Sequence, residues 1–214
     1  MMHKLQYISQ GKTVQEQTEN IRSALDAGCR WIQLRFKNAV DNELFDLAVQ
    51  VKRMCSNYQA TFILNDHVDI AKNVDADGVH LGLLDTSIAE ARSILGKNKI
   101  IGGTANTIQD VMTRISEKCD YIGLGPFRFT PTKEKLSPVL GLDGIVLIMK
   151  TVLSGENQVP IYAIGGIIQD DVAAIMETGV YGIVVSGVLT NHSNKKELIQ
   201  KFNLLLHEEF DHCR

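Results

Sequence analysis

Paired cysteines, basic tracts, long apolar runs and prolines are all scarce in this 214-residue chain, and each scarcity narrows what it does. Cys29, Cys55, Cys119 and Cys213 lie far apart and form no CxxC pair. That pattern suits free thiols in a reducing, cytoplasmic setting rather than a disulfide framework or a structural zinc site. The 22 lysines and arginines against 25 acidic residues leave a formal charge of −3, and the cations are scattered. Nucleic acid and membrane surfaces therefore find no electrostatic footprint. No apolar stretch approaches the roughly 20 residues of a spanning helix. The start, Met1-Met-His-Lys-Leu-Gln6, leads straight toward a strand without the apolar core of a secretion signal. Only four prolines occur, and three of them, Pro126, Pro131 and Pro138, fall within one short stretch.

What is present is a repeat. With 44% hydrophobic residues the chain has enough apolar surface for one sizeable core. Short β-rich apolar runs at 5–9, 31–35, 61–65, 78–81, 100–103, 121–125, 160–164 and 182–186 alternate with helical patterns. Those patterns lie near 14–27, 42–56, 67–74, 86–95, 107–118, 141–154, 169–178 and 194–209. Strands that alternate with helices, without a linker-like stretch, imply parallel βαβ units. An open doubly wound sheet rarely needs eight such units in so few residues. The expected fold is therefore a (β/α)8 TIM barrel, with residues 1–214 as one compact domain. Gly165-Gly166 and Ser186-Gly187 would end the seventh and eighth strands. These glycines either serve only as tight strand-to-helix turns or offer backbone N–H groups to a phosphate, as the corresponding loops of such barrels often do.

In a barrel the outer face of each strand is covered by helices, so polar strand residues acquire a direction. Within Trp31-Ile-Gln-Leu-Arg-Phe-Lys37, alternation places Ile32, Leu34 and Phe36 on one face and Trp31, Gln33, Arg35 and Lys37 on the other. The apolar set must face the helices, which turns Gln33, Arg35 and Lys37 inward and up toward the mouth. A charge buried there needs an anionic ligand or carboxylate partners, and a fork of donors suits a diphosphate. The third strand ends in Asn65-Asp66, and the fourth, Gly78-Val-His-Leu-Gly82, is followed by Asp85. Adjacent strands bring the two aspartates to the same end. Each alone fits a helix cap. Together, opposite a basic fork, they fit Mg2+, which one or two carboxylates hold along with substrate phosphates. The stretch Gly125-Pro-Phe-Arg-Phe-Thr-Pro-Thr-Lys133 projects two hydroxyls and an ammonium from the end of the sixth strand, all donors for a phosphorylated ligand. His80, mid-strand between apolar neighbours, reads as a hydrogen-bonded core histidine, and His67 as a helix start. No Ser-His-Asp order, nucleophile elbow or dinucleotide fingerprint is present.

Taken in order from Gln33 to Ser186, these motifs resemble the thiamine-phosphate synthase family. Gln33-Leu-Arg-Phe-Lys37 combined with Thr130-Pro-Thr-Lys133 is the specific part, and Gly141-Leu-Asp-Gly144, Ile164-Gly-Gly-Ile167 and Val185-Ser186 also match. The resemblance implies a transferase that joins a hydroxymethylpyrimidine diphosphate to a thiazole phosphate, releasing pyrophosphate, with Mg2+ as cofactor. It implies that Gln33, Arg35, Lys37, Asn65, Thr104 and Lys133 bind the pyrimidine diphosphate, and that Arg35, Lys37 and Lys133 are the catalytic cations. Asp66 and Asp85 would hold Mg2+. Thr130, Thr132, Gly165, Gly166, Val185 and Ser186 would take the thiazole phosphate. Partners would be small molecules only, in a possible homo-oligomer. Three positions depart from the family pattern. Thr104 stands where a serine is usual but keeps the hydroxyl. Leu83 replaces a glutamine and loses its amide. Arg128-Phe129 replaces an apolar-proline pair, and the Arg128 guanidinium either adds charge near the phosphates or faces solvent.

Rival readings are a thiazole tautomerase-like homologue, a non-catalytic sensor of phosphate ligands, and a phosphosugar isomerase or epimerase. A tautomerase would need neither a diphosphate clamp nor a carboxylate pair. A degenerate sensor would be expected to lose its costly buried charges first. An isomerase wants a general acid–base pair at the mouth, and only the aspartates are available there.

Overall fold

The computed structural model describes residues 2–37, 39–129, 138–155 and 159–207, and its strands close into a barrel in sequential order. The strands are β1 Leu5–Ile8, β2 Trp31–Leu34, β3 Thr61–Asn65, β4 Gly78–Leu81, β5 Ile100–Ala105, β6 Tyr121–Leu124, β7 Ile161–Ile164 and β8 Gly182–Val185. The helices are α1 Val14–Asp26, α2 Asp41–Asn57, α3 Val68–Asn73, α4 Ile88–Leu95, α5 Ile108–Ser116, α6 Gly141–Leu153, α7 Val172–Glu177, α8 Gly187–Thr190 and α9 Lys195–His207. Neighbouring strands pair in parallel, and Leu5 opposite Ile183 closes β1 onto β8. The expected barrel is borne out. Two details differ from the sequence pattern. The segment before α7 is a 3-10 turn, Gln169–Asp171, and the short helix α8 intervenes before α9.

Several helices begin where a side-chain oxygen relieves the free N–H groups of the first turn. Thr13 Oγ1 accepts from Glu16 N at 3.1 Å and Ser87 Oγ from Glu90 N at 3.3 Å. Thr107 and Asp110 form a reciprocal capping box. Because Ser87 caps α4, Asp85 is left for other work.

Strand alternation sorts the apolar residues into two layers. Ile32, Leu34, Phe62, Val79, Ile101, Ile122 and Ile183 pack outward against the helices, among them Phe202 of α9, which is fully buried. Trp31, Ile63, Tyr121, Tyr162 and Val184 form a separate cluster inside the barrel. The Trp31 ring meets Tyr121 and Tyr162 edge-on at 4.9 and 5.1 Å, a favoured aromatic geometry. Three rings fit because glycine faces them: a Cβ on Gly102 would lie 2.1 Å from Tyr121 Cζ. The aromatic plug fills the lower barrel and leaves the polar ends of the strands free to build a mouth.

Candidate active site

The mouth begins with Gln33, which is fully buried and donates from Nε2 to Asn65 Oδ1 at 2.9 Å. Its Oε1 has no partner among the described residues. A buried acceptor left this way costs about 1–3 kcal/mol, so the position favours a ligand that brings an N–H. Arg35 lies just past the end of β2. Its N–H donates to Ser9 Oγ at 3.0 Å, and its carbonyl accepts from Gln17 Nε2 at 3.1 Å. Those two bonds set the backbone from which the guanidinium reaches a cavity of about 660 Å3, lined also by Gly165, Gly166, Ser186 and Gly187. Lys37 is where alternation fails. The strand ends at Leu34, so Lys37 sits in a turn and is exposed, not buried inward. It still lines a smaller recess of about 280 Å3 together with Asn65, Asp66 and His67.

Below them, His80 is buried and bonded on both sides. Its Nδ1 lies 3.0 Å from Tyr121 Oη, and its Nε2 lies 3.0 Å from Thr104 Oγ1. The histidine is a core residue as expected, and it sets the rotamer of Thr104 at the floor of the mouth. Arg114, also buried, donates to the carbonyls of Thr104 (3.2 Å) and Gly82 (2.9 Å), which ties β5 to the loop after β4.

Asp66 has a left-handed backbone with φ 64°, and its N–H donates to the His80 carbonyl at 3.0 Å. Its carboxyl is hydrogen-bonded to Asp85. Burial, then that bond and the Asp85 charge, push its pKa up to about 7, while Lys37 and Arg35 pull it down. Asp85 Oδ2 accepts from Gly82 N at 2.6 Å, and a Cβ at position 82 would lie 2.7 Å from that same oxygen. Two carboxyls this close hold either a shared proton or a cation. Among the described residues no cluster of three or more His, Cys, Asp or Glu side chains forms. A metal here needs further oxygens from its ligand, as Mg2+ with a diphosphate would have.

Across the mouth, Gly165 and Gly166 adopt φ of 101° and 72°, and a Cβ on Gly165 would strike Pro126 at 2.8 Å. Ser186 Oγ donates to the Ile8 carbonyl at 2.7 Å. That hydroxyl is spent joining β8 to β1, leaving the backbone at the start of α8 to face the cavity. Arg128 is exposed and does not line the cavity. Its guanidinium grips Asp171 through two bonds of 2.9 Å.

A carboxylate pair, a guanidinium, and a glycine turn beside a short helix all lie after the C-terminal ends of the barrel strands. The chain matches the family model described as thiamine monophosphate synthase over residues 5–189. This chain belongs to the thiamine monophosphate synthase family. It is 60% identical over 203 residues to the thiamine-phosphate synthase of Flavobacterium psychrophilum, covering 95% of this chain and 98% of that one. With the thiamine-phosphate synthase of Flavobacterium johnsoniae it shares 55% over 203 residues, 95% of this chain and 96% of the relative. In three dimensions it matches the thiamine phosphate pyrophosphorylase of Pyrococcus furiosus with a TM-score of 0.82 and 30% identity over 95% of both chains. The chain is therefore placed among the transferases of thiamine biosynthesis.

Of the residues that resemblance to the thiamine-phosphate synthases singles out, Gln33 and Asn65 are joined directly, and Asp66 and Asp85 are joined directly. Arg35 shares one cavity with Gly165, Gly166, Val185 and Ser186. Thr130, Thr132 and Lys133 lie outside the described residues. Sequence reasoning missed Ser9, Gln17 and Arg114, which hold the backbone of site residues from other elements, because nothing local marks a side chain that acts across the fold.

Proposed function

We propose that this chain forms thiamine phosphate by letting pyrophosphate leave a hydroxymethylpyrimidine diphosphate before a thiazole phosphate attacks. The observation that carries the reading is the Asp66–Asp85 pair within electrostatic reach of Arg35 and Lys37. Two acids and two bases at one mouth suit a metal-bound diphosphate and no simpler anion. Asp66 and Asp85 would hold Mg2+, which when bound supplies positive charge to the leaving diphosphate.

The chain's own residues do the rest. Arg35 and Lys37, with Lys133 by resemblance, take the charge that grows on the departing oxygens. Gln33 offers its free Oε1 to the amino group of the pyrimidine, and Asn65 fixes the Gln33 amide that does so. Thr104 lines the floor of the same subsite. The electron-rich aminopyrimidine stabilises its own methylene cation, so no protein nucleophile is required. Gly165, Gly166, Val185 and Ser186 hold the thiazole phosphate through backbone groups, aided by Thr130 and Thr132. Anchoring both ligands keeps the thiazole nitrogen in line with the cationic carbon. Residues 1–214 act as one domain, in a cytoplasmic setting.

Metal dependence tests this. Turnover with both substrates should vanish in EDTA and return with Mg2+, and Asp66→Ala should need markedly more Mg2+ for half-maximal rate. Turnover indifferent to EDTA, or an Asp66→Ala enzyme with unchanged Mg2+ response, would remove the pair from the reaction.

A further inference from the structure

The Arg128 side chain makes three hydrogen bonds. Nη1 donates to the Gly166 carbonyl at 2.5 Å and to Asp171 Oδ2 at 2.9 Å, while Nη2 donates to Asp171 Oδ1 at 2.9 Å. Its backbone N–H donates to the Gly165 carbonyl at 2.8 Å. Asp171 in turn accepts from Ile168 N at 2.8 Å, which fixes the start of the 3-10 turn. The guanidinium also lies 5.2 Å from the Phe127 ring centroid. One arginine thus binds the loop after β6 to the loop after β7, through both carbonyls of the Gly165-Gly166 turn.

A trans peptide unit is planar, with its N–H and C=O on opposite sides. Pinning the Gly165 carbonyl therefore aims the Gly166 N–H the other way, and pinning the Gly166 carbonyl does the same for Ile167 N–H. Gly165, Gly166 and Ile167 line the 660 Å3 cavity, whereas Arg128 does not. The carbonyls face away from the mouth toward Arg128, and the N–H groups face into it. Glycine is free to rotate about both torsions, so an untied pair would sample other orientations.

We propose that the Arg128 guanidinium and Asp171 form a positioning clamp that holds the Gly166-Ile167 peptide with its N–H aimed at the phosphate of the second substrate, beside the Gly165-Gly166 peptide that the Arg128 backbone N–H holds. The idea rests on the reading that a phosphate occupies the loops after β7 and β8. Arg128 touches no substrate itself. Its fork is what the task requires, since a lysine ammonium cannot span a carboxylate edge and a carbonyl together.

Steady-state kinetics with each substrate varied in turn separates the clamp from a general structural role. Arg128→Ala and Asp171→Ala should each raise KM for the thiazole phosphate about tenfold, the scale of one coupled polar contact. KM for the pyrimidine diphosphate should stay within about twofold. The double variant should be no worse than either single one, and Arg128→Lys should keep most of the defect. Asp171→Asn, which preserves side-chain shape, covers the case in which a truncation unfolds the chain. Equal shifts in both KM values, additive losses, or an unaffected Arg128→Ala enzyme would overturn the clamp. If the wild type made no thiamine phosphate, calorimetry with inorganic phosphate would still decide. About tenfold weaker binding by Arg128→Ala than by wild type supports the clamp, and equal binding refutes it.

Discussion

Replacing Asp66 with asparagine changes how stability depends on pH, and the sign follows from the geometry of the carboxyl pair. In the folded chain burial and Asp85 lift Asp66 from 3.8 to about 7. In the unfolded chain it returns to the ordinary value. Between those pH values the folded state binds more protons than the unfolded state, so stability falls as pH rises from about 4 to 7. At about 1.4 kcal/mol per pH unit the ceiling is about 4 kcal/mol. Asp66 is only half-buried, with Arg35 and Lys37 nearby, so screening brings the expected effect to about 1–2 kcal/mol. For a chain of this size that is roughly 2–8 °C in Tm. Thermal unfolding of wild type and Asp66→Asn in metal-free buffer at several pH values between 4 and 8 measures it. The Tm advantage of Asp66→Asn should grow across that range by the stated amount, and saturating Mg2+ should erase it by stabilising the ionised wild-type pair through mass action. A difference between the two proteins that is constant with pH would refute the strained pair.

Three further outcomes are expected. Gln33→Leu removes a buried acceptor that has no partner among the described residues but also the donor to Asn65 Oδ1, and the two effects offset, so it should change stability by less than about 1 kcal/mol while raising KM for the pyrimidine diphosphate at least tenfold; a large Tm loss with unchanged KM would contradict this. Gly102→Ala forces a methyl into the Tyr121 ring and should cost about 3 kcal/mol, or roughly 6–12 °C in Tm, with substrate KM values preserved in the folded fraction. Lys133→Ala should lower kcat far more than it raises KM for the thiazole phosphate, and a change confined to that KM would place Lys133 on the other substrate.

The barrel was legible because its signal is periodic and local. Runs such as Ile32-Gln33-Leu34 and Tyr121-Ile122-Gly123 show the alternation of a strand covered on its outer face, and the eight of them repeat with helices between. Alternation carried Gln33 to its true position but misplaced Lys37, because a period of two holds only while the strand lasts and β2 ends at Leu34. The pairing of Asp66 with Asp85 follows from strand order alone, since β3 and β4 are neighbours. Asp85 was ambiguous as a helix cap until Ser87 took that role. Ser9, Gln17, Arg114 and Asp171 were not legible as supports. Each acts through space on a backbone group far away in sequence, and no spacing rule announces such a partner. Arg128 stood out only as a departure from the family pattern, and its direction depended on where Asp171 lies.

The most direct test of the account is the reaction itself, run with purified protein, the pyrimidine diphosphate, the thiazole phosphate and Mg2+. Thiamine phosphate and pyrophosphate should appear in equal amounts, and omitting the metal or either substrate should abolish thiamine phosphate. Tight binding of the thiazole phosphate with no product, or its isomerisation without the pyrimidine, would contradict the account.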